Sequence, residues 1–314
     1  EKIKFEGKRA VSAVVRIHGK QQQIRARREI IISAGAIGSP QILMLSGIGD
    51  QNDLTKHGII STHHLPGVGK NLQDHLQARP IYKCNASTIN TETKSPLQLV
   101  LFGLEYAFKR SGPMAMAASL GTAFLKSRPE LETPDIQFHL QPFSADNLAD
   151  GSHAFSAFTA SVLQLRPESR GHLKLSSANP EDYPAIYPNY LATKTDCDTI
   201  VAGIKIARAI CKNNPVKALI TEEYAPSSIV AESDDDAILE WARNTATTIY
   251  HPSGTCKMGN DKLSVVNEKL QVHGVTGLRV ADASIMPTIT SGNTNAPTIM
   301  IGEKLSDLVL ESAR

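Results

Sequence analysis

Several common signatures are missing from this sequence, and each absence removes a class of function. The four cysteines, Cys84, Cys197, Cys211 and Cys256, are scattered with no CxxC pair. That excludes a zinc-ribbon spacing and fits reduced, packed thiols better than a disulfide frame. The ten histidines form no metal-spaced cluster, and no metal site is expected. No apolar run approaches the length of a membrane span, and no signal peptide is visible. The expected compartment is therefore the cytoplasm, with attachment to a membrane surface left open. Aromatic residues make up only 5% of the chain, too few to place an aromatic box around a quaternary ammonium. The charge is nearly balanced, 33 basic against 31 acidic residues, and gives no basic stripe for nucleic acid.

What is present is a 314-residue chain with 41% hydrophobic content, enough for one large core or two domains. It opens with Glu, inside a pattern that reads as the middle of a sheet. Val11, Ala13 and Val15 alternate with polar neighbours as the inner face of a half-buried strand, HGKQ turns, and QIRAR returns. Ile30-Ile31-Ile32 has the β-branched, all-apolar pattern of a strand buried on both faces. Ala34-Gly35-Ala36 follows as a small-residue turn, and Ser39 is placed to cap a helix with Pro40 in its first turn. Strand, small turn and helix make half of a βαβ unit, and ligands of open α/β sheets lie at such turns. Tight packing of strand on helix explains the small residues equally well.

The middle of the chain, 77–248, changes character. TPDIQFHLQPF and FTASVLQLRP alternate like strands of an antiparallel sheet with helices on one side. Residues 196–212 form a helix with Ile200, Ile204, Ala207 and Cys211 on one stripe. A second begins at SDDDAILEWARN, with Ser233 as cap, aspartates in the positive first turn and Arg243 near the end. Capping explains those aspartates better than calcium does, and Trp241 reads as core.

The last segment carries the chemistry. Leu278–Ala281 is a short strand with Asp282 at its carboxyl end. A Gly-Asn-rich loop leads to a helix capped by Asn295, with Pro297 in its first turn and Ile301, Leu305 and Leu308 on one face. Its N-terminus favours negative charge on a ligand. Upstream, HPSGTCKMG sets His251 beside a proline and a glycine turn. Imidazole is the side chain that most easily exchanges a proton near neutral pH. From this stretch alone, a core histidine beside a turn is the plainer alternative.

Three segments together resemble the glucose–methanol–choline (GMC) flavin oxidoreductases, in the family's order: AGAIGSPQILMLSGIG, HPSGTCKMG, and GLRVADASIMPTITSGNTNAPTIMIGEKLSDLV. PGVGKNLQDH, SRGHLKLSSANP and PNYL also match family habit. The style is closest to choline dehydrogenase-like and aliphatic alcohol dehydrogenase members.

The resemblance implies a mixed α/β chain of α+β type. Residues 1–76 and 249–314 would be part of a Rossmann-like FAD-binding domain, and 77–248 a substrate domain with an antiparallel sheet flanked by helices. It further implies that His251 is the active-site histidine and Asn293 the second catalytic residue, with Asp282 and Ala283 near the cofactor's ribityl and diphosphate region. Asn295, Pro297 and Thr298 would face the pyrimidine edge, and Ala34 and Gly35 the adenosine half. The alternatives are a plain turn asparagine at 293 and an Asp282 that only braces its loop. Cys256 reads as packing, His63, His64 and His273 as loop or surface residues, and Lys257 as uninvolved.

One departure stands out: the family's GxGxxG phosphate loop is nowhere in the sequence. The resemblance then implies a missing front half, present either in a longer enzyme or as a second chain. The expected function is FAD-dependent oxidation of a small alcohol to an aldehyde or ketone, with His251 as general base. A hydroxynitrile lyase, which some members are, and a non-catalytic half of a binding site are the alternatives.

Overall fold

The computed structural model describes residues 1–117, 119–147, 151–227 and 229–312. The chain divides into two compact units, one of Glu1–His75, Arg166–Ala192 and Tyr250–Arg314, the other of Leu76–Leu165 and Thr193–Ile249. Among the described residues, no helix is long and apolar enough to cross a membrane.

The first unit opens with an antiparallel sheet of Lys2–Glu6, Arg9–Ile17 and Lys20–Arg25. Its inward face differs from the expected one: Ala10, Ser12 and Val14 are buried, while Val11, Ala13 and Val15 are only half-buried. Both faces carry small or apolar residues, so alternation alone leaves the choice open. Ser12 can sit at 0% exposure because its hydroxyl accepts from Gln23 Nε2 at 2.7 Å.

Ile30–Ile32 pairs in parallel with Leu278–Val280, Ile32 opposite Val280. Burial on both faces does not hold: Ile32 is buried, but Ile31, which the pleat turns to the other side, is 41% exposed. The following helix, Gly35–Leu45, starts four residues before the expected cap. Gly35 takes φ +77° at the turn, so Ser39 and Pro40 lie inside the helix. A proline there leaves the carbonyl four residues back without its helical donor. Thr255 Oγ1 supplies one, donating to Ala36 O at 2.6 Å.

The C-terminal helix, Asn295–Ser312, buries Ile301, Leu305 and Leu308 as its periodicity predicts. Asn295 is its first residue rather than its cap, because the Thr294 carbonyl already accepts the Thr298 N–H at 3.1 Å. Leu43, Ile48, Leu54, Val266, Leu278 and Ile285 pack with this face into one core. Arg279 lies in it at 2% exposure, bonded to Glu29, the Lys269 carbonyl and Ser312 Oγ.

Residues 166–192 belong to this unit, not to the second as the sequence suggested. The reason is a backbone ladder: Leu72 and Gly171 exchange hydrogen bonds of 3.0 and 2.8 Å, and Leu173 N–H donates to Gly69 O at 2.7 Å.

The second unit is built on a seven-stranded antiparallel sheet, as expected. Its main path runs Ile220–Ala225, Ile81–Cys84, Ala157–Gln164, Ile136–Gln141, Gly121–Leu125. Leu76–Ala78 also pairs with Ala157–Gln164, and Thr247–Thr248 with Leu76–Ala78. The helix Lys194–Cys211 lies against Ala157–Gln164 with Ile200, Ile204, Ala207 and Cys211 buried. The helix Asp235–Thr245 is capped by Asp234, whose carboxylate accepts the Ala237 N–H at 2.9 Å, and not by Ser233. The helix Pro96–Lys109 buries no residue.

Candidate active site

HPSGTCKMG is an irregular segment, with a turn at Thr255 and Cys256, laced into two others of the same unit. Ser253 and Gln73 exchange backbone hydrogen bonds of 2.8 and 3.0 Å on one side. On the other, the N–H groups of Gly254, Cys256 and Met258 donate to the carbonyls of Ala283, Ser284 and Ile285. Only glycine fits at 254: φ is +86°, and a Cβ there would lie 2.6 Å from the Asn71 carbonyl oxygen. Cys256 is fully buried, which pushes its thiol well above the ordinary range, so it packs rather than reacts.

This lacing fixes His251. Its backbone N–H donates to Asp74 Oδ1 at 2.9 Å. Its Nδ1 lies 3.0 Å from Nδ1 of His75, with the two rings edge to face. Its Nε2 lies 3.4 Å from the side-chain amide of Asn293. Burial pulls the His251 pKa below the ordinary 6.5, and the Asp74 carboxylate offsets part of that. The imidazole is thus neutral at pH 7 and able to accept a proton.

The first two site residues predicted from sequence, His251 and Asn293, therefore meet. Asp282 is engaged elsewhere: one oxygen accepts from Ser39 Oγ at 2.5 Å and the Gly35 N–H at 3.0 Å, the other from the Ser284 N–H at 2.8 Å. These bonds tie a strand end to a helix start. Ala283 is half-buried in the short turn Ala283–Ile285. Ala34 is exposed, and the position where a Gly35 side chain would stand is open, with no atom within 4 Å. Asn295, Pro297 and Thr298 form the first turn of the C-terminal helix, with Asn295 exposed.

Nothing in composition or spacing marks Asp74, His75 or Tyr190. Yet Asp74 Oδ1 also accepts the His75 N–H at 2.9 Å, and Oδ2 accepts the Tyr190 hydroxyl at 2.5 Å. The available signal was the adjacent Asp-His pair that ends PGVGKNLQDH.

Two family models, both described as GMC oxidoreductase, match residues 1–77 and 167–302. The chain is 42% identical over 312 residues to an alcohol dehydrogenase [acceptor] of Pseudomonas putida, covering 98% of this chain and 56% of the relative. It is 42% identical over 310 residues to the mitochondrial choline dehydrogenase of Homo sapiens, covering 98% and 52%. The chain thus spans about half the length of these relatives. Among solved structures, a pyridoxine 4-oxidase from Mesorbium loti superposes with a TM-score of 0.83 at 25% identity, covering 98% of this chain and 56% of that one. A formate oxidase from Aspergillus oryzae RIB40 gives 0.89 at 24% identity, covering 99% and 59%, a likeness of fold. With both family models and these relatives in agreement, the chain belongs to the GMC oxidoreductase family.

Proposed function

We propose that this chain supplies the proton-handling part of an FAD-dependent oxidoreductase that converts a small alcohol to an aldehyde or ketone. The observation that carries the reading is the pairing of a neutral, half-buried His251 with the Asn293 amide, 3.4 Å apart. Alcohol dehydrogenase and choline dehydrogenase relatives support the reaction class.

The residues fit a dinucleotide flavin. Gly35 takes a conformation side chains avoid and leaves open space in front of it. Exposed Ala34 and the first turn at Asn295, Pro297 and Thr298 offer backbone to a ligand, and the start of an 18-residue helix favours an anion. Ala283 adjoins Asp282, which would shape the turn rather than touch the ligand. When bound, FAD supplies the hydride acceptor.

The chain's own residues handle the rest. His251 Nε2 takes the hydroxyl proton as the C–H bond breaks. The Asn293 amide, which neither gains nor loses a proton at neutral pH, holds the alcohol oxygen in line. Burial keeps His251 deprotonated before the substrate arrives.

The test is to add a primary alcohol to the full-length protein without oxygen and follow the visible flavin bands. Bleaching supports the oxidation. Turnover with unchanged bands means chemistry with no net redox and sinks it. A His251→Ala variant that retains flavin and loses no activity removes the base assignment.

A further inference from the structure

His75 is at 0% exposure, and its Nδ1 stands 3.0 Å from Nδ1 of His251. Two ring nitrogens at that distance share one proton, so two arrangements exist. In one, His75 donates, the His251 proton sits on Nε2, and the nitrogen facing Asn293 has no lone pair. In the other, His251 Nδ1–H donates to His75, and Nε2 keeps its lone pair. The Asn293 amide decides between them. Its Nδ2, a donor, lies 3.4 Å from Nε2, a pairing that needs Nε2 as acceptor and leaves the hydrogen on Nδ1.

We propose that His75 is the positioning residue that sets the His251 tautomer, accepting from Nδ1–H so that the Nε2 lone pair faces the substrate; this rests on the base assignment made above. Asp74 holds the two rings at working distance, because one carboxylate oxygen accepts the backbone N–H of both His75 and His251, each at 2.9 Å. The Tyr190 hydroxyl, 2.5 Å from the other oxygen, holds that carboxylate in turn. When His251 gains the substrate proton at Nε2, its charge strengthens the bond to the His75 acceptor, and no proton moves along the chain. Orienting partners that fix a ring in this way act on the rate of the step and less on binding.

The experiment is long-range 1H–15N correlation on the full-length protein labelled with 15N-histidine, for wild type, His75→Leu and His75→Asn. Wild type is expected to show His251 protonated at Nδ1 and bare at Nε2. His75→Leu removes the acceptor; His251 should shift to the Nε2–H tautomer, with kcat down about 10²-fold and KM within about twofold. His75→Asn, whose amide oxygen can accept from Nδ1–H, should keep the wild-type tautomer and most of kcat. A wild-type His251 protonated at Nε2 overturns the proposal without any variant, as does an unchanged tautomer in a folded His75→Leu protein. A fully active His251→Ala protein would instead overturn the base assignment, which separates the two failures.

Discussion

Asp282 accepts a 2.5 Å hydrogen bond from Ser39 Oγ, 243 residues earlier in the chain. With the Gly35 N–H on the same oxygen, this carboxylate pins the end of the Leu278–Val280 strand to the start of the Gly35–Leu45 helix. Removing it leaves the buried Ser39 O–H without its acceptor and the Gly35 and Ser284 N–H groups unpaired. Asp282→Ala should cost about 1–3 kcal/mol in urea unfolding, and Asp282→Asn, which keeps one acceptor oxygen, less. An unchanged midpoint for both would mean that the brace carries no weight.

The base role proposed for His251 predicts a pH dependence of activity. The residue works as a base only when neutral, and burial lowers its pKa below 6.5. The rate should therefore rise with pH through a midpoint below 6.5 and flatten above it. A midpoint above that value, followed by stopped-flow flavin reduction, would show that burial does not dominate.

Stability should follow a related rule. His63, His172 and His251 all have folded pKa values lowered chiefly by burial from the ordinary 6.5. Below 6.5 the unfolded chain binds more protons than the folded one, so stability is lost as pH falls from there through the folded values. Well above 6.5, where the unfolded imidazoles are neutral too, these residues contribute no slope. Asp53, whose carboxyl is lowered by bonds to Lys56 and Lys174, adds a further loss in more acidic solution. Urea midpoints across this range should shallow in a His63→Gln, His172→Gln protein; identical curves would assign the slope to other groups.

Gly203 sits where the helix Lys194–Cys211 meets the sheet, and a Cβ there would come within 2.5 Å of Val162 Cγ2. Gly203→Ala should lower stability by about 1–3 kcal/mol. Adding Val162→Ala should recover part of that, because the two changes share one contact. Simple additivity in thermal unfolding would place the strain elsewhere.

Arg279 is almost completely buried and faces Glu29 at 2.7 Å. Arg279→Met leaves the carboxylate, the Lys269 carbonyl and Ser312 Oγ without it, at a cost of about 3 kcal/mol. The Arg279→Met, Glu29→Gln double variant should be more stable than Arg279→Met alone, which chemical denaturation measures directly.

On the helix Pro96–Lys109 the opposite holds. Leu97 is 69% and Phe108 84% exposed. Replacing either with Ser should change stability by less than about 0.5 kcal/mol. Ile204→Ala, at a fully buried position, should cost about 2–5 kcal/mol in the same assay.

The sequence by itself determined what depends on near neighbours. The 3.6-residue period of Ile301, Leu305 and Leu308 marks the buried face of the C-terminal helix, and Asp235 and Asp236 mark the start of another. The motif around His251 marks the residue proposed above as the base, since one residue type at one place carries that signal. Tertiary structure decided what depends on partners far along the chain. Which face of Arg9–Ile17 turns inward depends on Gln23 being there to satisfy Ser12. Pro40 can lie inside a helix because Thr255 bonds the carbonyl it strands. Asp282 ties a strand end to a helix start because Ser39 and Gly35, far back in the chain, close on it. The orientation of His251 rests on His75, 176 residues away in sequence. Hydrogen bonds of this kind leave no period in the sequence, because a donor and its acceptor need share only a place in space.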